Sequence, residues 1–589
     1  MHKTESSFSQ NITRRDFLCG SAALLAGVST PIYSPANGEQ KISPNTDYSS
    51  VIEKIKQTLP VTMALKDITG ASIALIDNEN IVWSEGFGYT NRSQKVKVTG
   101  DTLFHVGSIS KSFIALGVLK AADKGLLALD DPIKKHLPWL SVNSRFGVAE
   151  SEKITIRHLL SHHSGMGTWS PLGNPSDAQY HTRTFEQVVK SANDSWLKFP
   201  VGERFEYSNQ GIDLVGYTLG VVSGKQLADF MRDEILAPLG MTASTYNQAE
   251  ATQKEACALG YLGKRPAPIV NGIVHTLIAA GGLFASANDL ARFVIFHLQG
   301  GESNGKQIIP QRLLQEMYAP QFTAKDQLSG YGLGIYKAIQ HDTVRFSHGG
   351  SGYGISAHYR YLPEHKIGVV LLTNQSAAHN APYLASGVIE LMLAAKLRAL
   401  PKNKPISPTD EPVISLGQSA LKRLEGTYLL YEGILFRFKY EKGSLFHIVG
   451  SEKRKLDAHS PSDFTSGSRR YEFLLDENGR PKGVQIFDSY YDVQTAENSV
   501  IYLPVNETPA DPRGLNKPEW SRRVGKYAGT FIGGGSEVKV SLKNGYLYLN
   551  GELKLTELKP DFFVTADGEA VIFKGEQLSV GNLLYSKRK

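Results

Sequence analysis

The chain has 589 residues, more than one hydrophobic core can organise, so two to four domains are expected. Hydrophobic residues make up 41% and charged residues 21%, the profile of a soluble globular protein. A formal charge of +7 is thin over this length, and no basic block or aromatic–basic stripe accompanies it, so no nucleic-acid partner is expected.

Residues 1–36 read as an export signal of the twin-arginine type. Arg14 and Arg15 precede an apolar stretch, Leu18 to Val28, and cleavage is expected near Ser34-Pro35-Ala36. The stretch is well short of the roughly 20 residues needed to span a bilayer. No other segment is long and apolar enough, so no stable membrane span is expected, and the location is periplasmic or secreted. Cys19 falls inside this signal. Cys257 is then a lone mature cysteine, which offers neither an internal disulfide nor a metal cluster. Residues 37–47 form a linker rich in Ser, Pro and Asn.

Residues 48–396 carry a mixed pattern. Ala71–Asp77 and Asn80–Tyr89 predict a strand pair. Ser112–Gly125 and Asp289–Gln299 have helical spacing. Gly354–Asn374 predicts a hairpin turning at Pro363-Glu364-His365. Strands first, helices between and strands last imply one antiparallel sheet built from both ends of an α+β domain, with helices flanking it. Residues 397–415 are rich in Pro and charge and read as a second linker. Beyond it the pattern is almost all β and weakly repeated. Gly426-Thr427-Tyr428 matches Gly529-Thr530-Phe531, Lys442-Gly443-Ser444-Leu445 matches Asn544-Gly545-Tyr546-Leu547, and Asp463-Phe464 matches Asp561-Phe562. Two small antiparallel β-barrels are expected, at 416–510 and 511–589.

The chemistry-bearing residues lie in the first domain. Ser108 precedes Lys111 by three positions in "HVGSISKSFIAL", where an apolar helix begins. Residues i and i+3 share a helix face, so the lysine can reach the serine. A helix start also gives Ser108 a positive local field and a free backbone N–H for an oxyanion. Lysine is a base only when neutral, so burial would have to lower its pKa. The pattern Ser-x-x-Lys alone is weak, because it recurs at Ser195, Ser303, Ser419, Ser536 and Ser586. What singles out Ser108 is the order that follows: Tyr207-Ser208-Asn209, then His348-Gly349-Gly350-Ser351 just before the predicted hairpin.

With those motifs the chain resembles the penicillin-recognising serine hydrolases, a family of class C β-lactamases, D,D-peptidases, D-aminopeptidases and related esterases. "ITIRHLLSHHSGM", "LAPLGMTAST", "AAGGLFASANDLARF" and "YGLGIY" resemble the family's landmarks in order. The resemblance implies a β-lactamase/transpeptidase-like catalytic domain and lipocalin-like barrels behind it. It implies Ser108 as nucleophile, Lys111 as its base and Tyr207 as the proton relay. Asn209 would hold Lys111 and the substrate amide. His348, Gly350 and Ser351 would line the other wall of the cleft, with the Ser351 N–H as second oxyanion donor. No cofactor or metal is implied.

Two other constellations are weaker. Gly301-Glu302-Ser303-Asn304-Gly305 fits a nucleophile elbow in letters, but a helix-like run precedes it where a strand is required, so a surface turn is expected. His158, His162 and His163 have metal-like spacing without a matching Asp, Glu or Cys cluster, so a structural role is expected. The chain also departs from the family: His348-Gly349-Gly350 stands where many β-lactamases carry Lys-Thr-Gly. An imidazole is a poorer carboxylate partner, so strong β-lactamase activity is not expected. The expected activity is acyl-enzyme hydrolysis of small D-amino-acid-containing peptides or amides. An esterase and a slowly deacylating β-lactam or muropeptide sensor remain as alternatives. A barrel loop, Phe531–Glu537 or His459–Arg470, is a candidate cover for the cleft, and any homo-oligomer is expected to form through the barrels.

Overall fold

The computed structural model describes residues 46–588 except 94, 173–182, 255–256, 263–264, 267–277, 323–328, 341–342, 353, 376–379, 399–411, 430–434, 450–451, 468, 477, 489–498, 505–516, 532–533, 544, 552, 566–568 and 581–582. The expected signal lies outside the described residues.

Helix α1 (Ser49–Leu65) leads into strands β1 (Gly70–Asp77) and β2 (Asn80–Gly88). Helices α2 (Ser110–Asp123), α3 (Asn209–Ser223) and α4 (Ala287–Leu298) follow. The chain then returns to the sheet with β3 (Gly330–Tyr331), β4 (Tyr336–Gln340), β5 (Thr343–Gly352), β6 (Ile355–Leu362) and β7 (Ile367–Thr373), and closes with helix α5 (Asn380–Leu397). The seven strands are ordered β2-β1-β7-β6-β5-β4-β3, and each neighbouring pair is antiparallel. The first two strands and the last ones thus meet in one sheet, as the sequence pattern implies.

Strand β1 is buried on both faces, and its period of two divides two cores. Ala71, Ile73 and Leu75 pack with α1 and α5, whereas Ala74 and Ile76 join the larger core around α2 and α4. Asp77 closes the first core: it accepts a hydrogen bond from Tyr48 Oη at 2.8 Å and pairs with buried Lys396. The first and last helices of the domain are thereby tied to the same strand.

Helix α2 is buried from Ser110 to Leu119, which explains why its apolar run is continuous rather than striped. It starts two residues before the expected boundary and follows a 3₁₀ turn, Gly107–Ile109, that carries Ser108. Strand β5 begins at Thr343, five positions before His348, because Val344 and Phe346 already pair with β4 and pack on the core. The hairpin turn at Pro363–His365 forms as expected and is relieved by Lys366 in the left-handed region (φ +49°). Gly301–Gly305 falls in a surface hairpin, with Glu302–Ser303 paired to Lys306–Gln307. It is no nucleophile elbow.

The C-terminal part folds as two β units. Eight strands between Gly426 and Pro504 form a closed barrel around Tyr428, Phe438, Phe464, Tyr471 and Phe473. Nine strands between Gly525 and Lys587 form a second sheet around Trp520, Tyr527, Phe563 and Phe573. The sheet's two edge strands, Leu553–Lys554 and Thr556–Lys559, are consecutive in the chain but not hydrogen-bonded to each other. The expected second barrel is therefore open at one seam. Buried Leu555 sits in that seam and turns its N–H to Leu547 O at 2.8 Å instead. The repeated Lys442-Gly443 is a tight turn with both residues at positive φ, and Gly545 repeats the geometry.

Candidate active site

Ser108 lies half-buried at the junction of the 3₁₀ turn and α2. Lys111 is fully buried one turn later, and its Nζ donates to Ser108 Oγ at 2.9 Å and to Ala280 O at 2.8 Å. Burial pulls the Lys111 pKa down to about 7, and the charge of Asp213 opposes part of that shift. The amine is therefore available as a proton acceptor near neutral pH. It also stands 4.8 Å from the ring centre of Tyr207.

Tyr207 comes from the loop that caps α3. Ser208 is the N-cap, and its Oγ accepts from Gly211 N–H at 3.0 Å. The same hydroxyl donates to Gly167 O, and Gln210 Nε2 donates to that oxygen as well, both at 2.8 Å. His162 Nδ1 accepts the Ser208 N–H at 3.0 Å, and its ring packs 4.4 Å from that of Tyr207. Thr168 Oγ1 donates to Tyr207 O at 3.1 Å. The tyrosine is thus held from three sides. Asn209 opens α3 and is nearly buried, with its N–H on Thr168 O at 2.9 Å. Among the described residues no hydrogen bond joins it to Lys111; the partner expected from Asn209 is the Ala280 carbonyl instead.

Strand β5 forms the third side. Gly350 lies so close to the turn that a Cβ there would sit 1.8 Å from Val106 O and 3.3 Å from Ser108 N. Gly107 (φ +52°) meets Ser351 in the same way, with Ser351 O 3.0 Å and Ser351 N 3.3 Å from the place of a Cβ. Backbone-to-backbone contact is what these glycines permit. It brings the Ser351 N–H beside the Ser108 turn. His348 is buried in mid-strand, where its Nε2 meets Tyr331 Oη at 3.0 Å and its Nδ1 meets Gly349 O at 2.6 Å. Burial, reinforced by the charge of Lys111, holds the His348 pKa down at about 3. The imidazole is neutral at pH 7 and both its nitrogens are engaged within the protein.

The other two histidines of the 158–163 segment diverge. His158 completes a capping box with Thr155 and stacks on Phe322, and His163 Nδ1 donates to Ser161 O at 2.8 Å. Burial lowers both pKa values to about 4.

A family model described as Beta-lactamase matches residues 55–390. The chain belongs to the beta-lactamase family. Protein flp of Staphylococcus aureus (strain COL) is 26% identical over 314 residues, covering 53% of this chain and 61% of that protein. The match thus spans about three-fifths of that relative's length. An uncharacterised protein of Alkalihalophilus pseudofirmus is 28% identical over 281 residues, covering 46% of this chain and 70% of its own. Among solved structures, the octameric penicillin-binding protein homologue from Pyrococcus abyssi superposes with a TM-score of 0.53 at 26% identity. That match covers 77% of this chain and 99% of the homologue. No described helix is long and apolar enough to cross a membrane.

Outside the motifs that identify the beta-lactamase family, sequence reasoning missed two contributors to the site. One is Asp213, a lone acid in the apolar run "GIDLVGY". A charge at a buried helix position is a signal that the spacing of the motif overshadowed. The other is an ionic contact with the C-terminal part. Buried Lys198 pairs with Glu206 at 2.9 Å and with Glu569 at 2.9 Å, and Trp196 packs on Phe562 with ring centres 4.5 Å apart. Glu206 adjoins Tyr207 in the chain. The second β unit therefore packs on the 196–198 segment through Phe562 and Glu569, and Lys198 links that contact to Glu206. The described residues of the two loops expected to cover the cleft are engaged within their own units: Glu537 with Lys526 and Arg588, Arg470 with Asp463.

Lys198→Met removes the cation that Glu206 and Glu569 share. It should destabilise the protein by about 3–5 kcal/mol, the scale for breaking a buried pair from one side. Glu569→Gln keeps the buried Lys198–Glu206 pair and should cost far less. Chemical denaturation of the two variants checks the order.

Proposed function

We propose that this chain is an exported serine hydrolase that works through an acyl-enzyme on Ser108, and that it cleaves small D-amino-acid-containing peptides or amides. The observation that carries the reading is the buried Lys111 amine at 2.9 Å from Ser108 Oγ. In this mechanism neutral Lys111 takes the Ser108 proton as Oγ attacks the carbonyl carbon. The backbone N–H groups of Ser108 and Ser351 receive the oxyanion. Tyr207, packed on Lys111, passes a proton to the leaving amine and later draws one from the water that frees the acid. Asn209, His348 and Gly350 line the substrate's path. The domain division at residues 48–396, 416–510 and 511–589, export through residues 1–36 and self-assembly through the C-terminal units belong to the same proposal. The octamer of the Pyrococcus abyssi homologue supports self-assembly as such, whichever part carries it.

The neutral, internally bonded His348 supports a substrate that does not depend on a cation for its carboxylate, which weighs against strong β-lactamase action. It also favours one rival, an esterase with the same acyl chemistry. D-alanyl anilides and short-chain nitrophenyl esters separate the two. Amide turnover is expected, and ester turnover without amide turnover would transfer the assignment to the esterase.

Ser108→Ala and Lys111→Ala should each lower kcat/KM by at least ~10³-fold, and the double variant should be little worse, because the two groups serve one step. Additive losses in steady-state kinetics would show that they do not. The pH profile follows from the sign of the Lys111 shift. The amine accepts a proton only when neutral, and its neutral fraction grows as pH rises through about 7. The kcat/KM profile of the wild type should therefore show an acid limb centred near that value, far below the ordinary lysine range.

A further inference from the structure

Asp213 lies on α3, one turn after Asn209, and is 2% exposed. Its Oδ1 accepts two backbone N–H groups, from Ala279 at 3.1 Å and from Ala280 at 2.9 Å. The carbonyl of that same Ala280 accepts from Lys111 Nζ at 2.8 Å. Its second oxygen, Oδ2, is buried and has no hydrogen-bond partner among the described residues.

The surroundings show that this approach is built in. Gly216, nearly one turn further along α3, lies so close to the segment that a Cβ would stand 2.2 Å from Ala279 Cβ. Any larger residue there would push α3 away and take Asp213 out of reach. The segment is also pinned at its other end, where Leu283 N–H donates to Ser110 Oγ and Val106 N–H to Leu283 O, both at 3.0 Å. The 279–283 strap therefore runs from Asp213 to the Ser108 turn, with the Ala280 carbonyl at Lys111 in between.

We propose that Asp213 is a positioning residue for this site: it fixes the Ala280 carbonyl that holds Lys111 Nζ at Ser108, and its carboxylate, when ionised, adds a negative charge to the surroundings of that amine. The inference rests on the Ser108–Lys111 reading above. The titratable groups facing Lys111 are Asp213 on α3, Tyr207 and His162 from the loops before it, and His348 on β5. Burial keeps both imidazoles neutral at pH 7, so they add no charge. Among these four, Asp213 is the one whose charge opposes the fall in the Lys111 pKa. Burial pushes its own pKa up to about 7, against the two amide N–H groups and Lys111, so that charge develops over the same pH range.

Asparagine and alanine divide the two roles. Asp213→Asn keeps an oxygen for the two amides and removes the charge. Asp213→Ala removes both. The readout is the rate at which a fluorophosphonate labels Ser108 in the full-length protein, followed by intact mass from pH 5 to 9. In that reaction the Oγ–P bond forms, fluoride leaves and the Ser108 proton passes to Lys111. Asp213→Asn should retain most of the labelling rate at high pH while its acid limb moves to lower pH, by roughly one unit. Asp213→Ala should lose about ten- to a hundredfold in rate across the range, the scale of a buried hydrogen-bonded group removed. If the wild type labels with its acid limb and the Asn variant keeps the same limb, the Asp213 assignment falls and the Ser108–Lys111 reading stands. Equal losses in both variants with an unmoved limb would reduce Asp213 to a structural residue and also overturn the assignment. If the wild type itself is not labelled at Ser108, the underlying reading falls and takes this one with it.

Discussion

The structure is organised around one buried amine. An ammonium moved into a low-dielectric interior loses its hydration, and the neutral form gains by the same amount. At Lys111 the protein uses this cost: the residue sits inside a helix whose first ten residues are all buried, under α3 and against the sheet. A surface Ser-x-x-Lys pair has no such environment. The other copies of the pattern in this chain show the contrast. Lys198, three residues after Ser195, is also buried, but it pairs with two carboxylates and is committed to an ionic contact.

Everything else at the site serves the placement of that amine and its serine. Three chain segments far apart in sequence converge on the Ser108 turn: the α3 cap with Tyr207, the 279–283 strap and strand β5. Convergence this tight depends on missing side chains. At Gly350 and Gly216 neighbouring atoms lie at distances that no Cβ would allow, and Gly107 adds a left-handed backbone (φ +52°) in a tight contact with Ser351. The rigid partner in each case is a strand or a buried helix, so the geometry is set by packed elements rather than by loops.

The second β unit reaches the same region by an ionic route. Glu569 shares Lys198 with Glu206, one residue before Tyr207, and Phe562 covers Trp196 nearby. The buried cation is what both carboxylates share, so removing Lys198 leaves the two anions without it, whereas losing Glu569 still leaves the Lys198–Glu206 pair. The C-terminal part is thus coupled mechanically to the segment that carries Tyr207, although its own cores are independent clusters of aromatic and aliphatic residues.

Local spacing settled much of this protein in advance. The i, i+3 relation of Ser108 and Lys111, the alternation in β1, the hairpin at Pro363–His365 and the repeated Gly turns of the β units depend on neighbours a few residues apart, and each is legible in the letters. The burial of α2 was legible too, in an apolar run without a polar face. What the letters left open are contacts between distant segments. The Ala280 carbonyl rather than the Asn209 side chain meets Lys111, because the strap and not the α3 cap lies at its Nζ. The second sheet stays open because Leu555 turns its N–H inward to Leu547. The contact of Glu569 and Phe562 with Lys198 and Trp196 joins segments hundreds of residues apart, which no local spacing announces. Asp213 reaches the strap only because Gly216 lets the helix approach. Such pairings are decided by which surfaces can exclude water together, and that depends on the whole packed chain rather than on any window of its sequence.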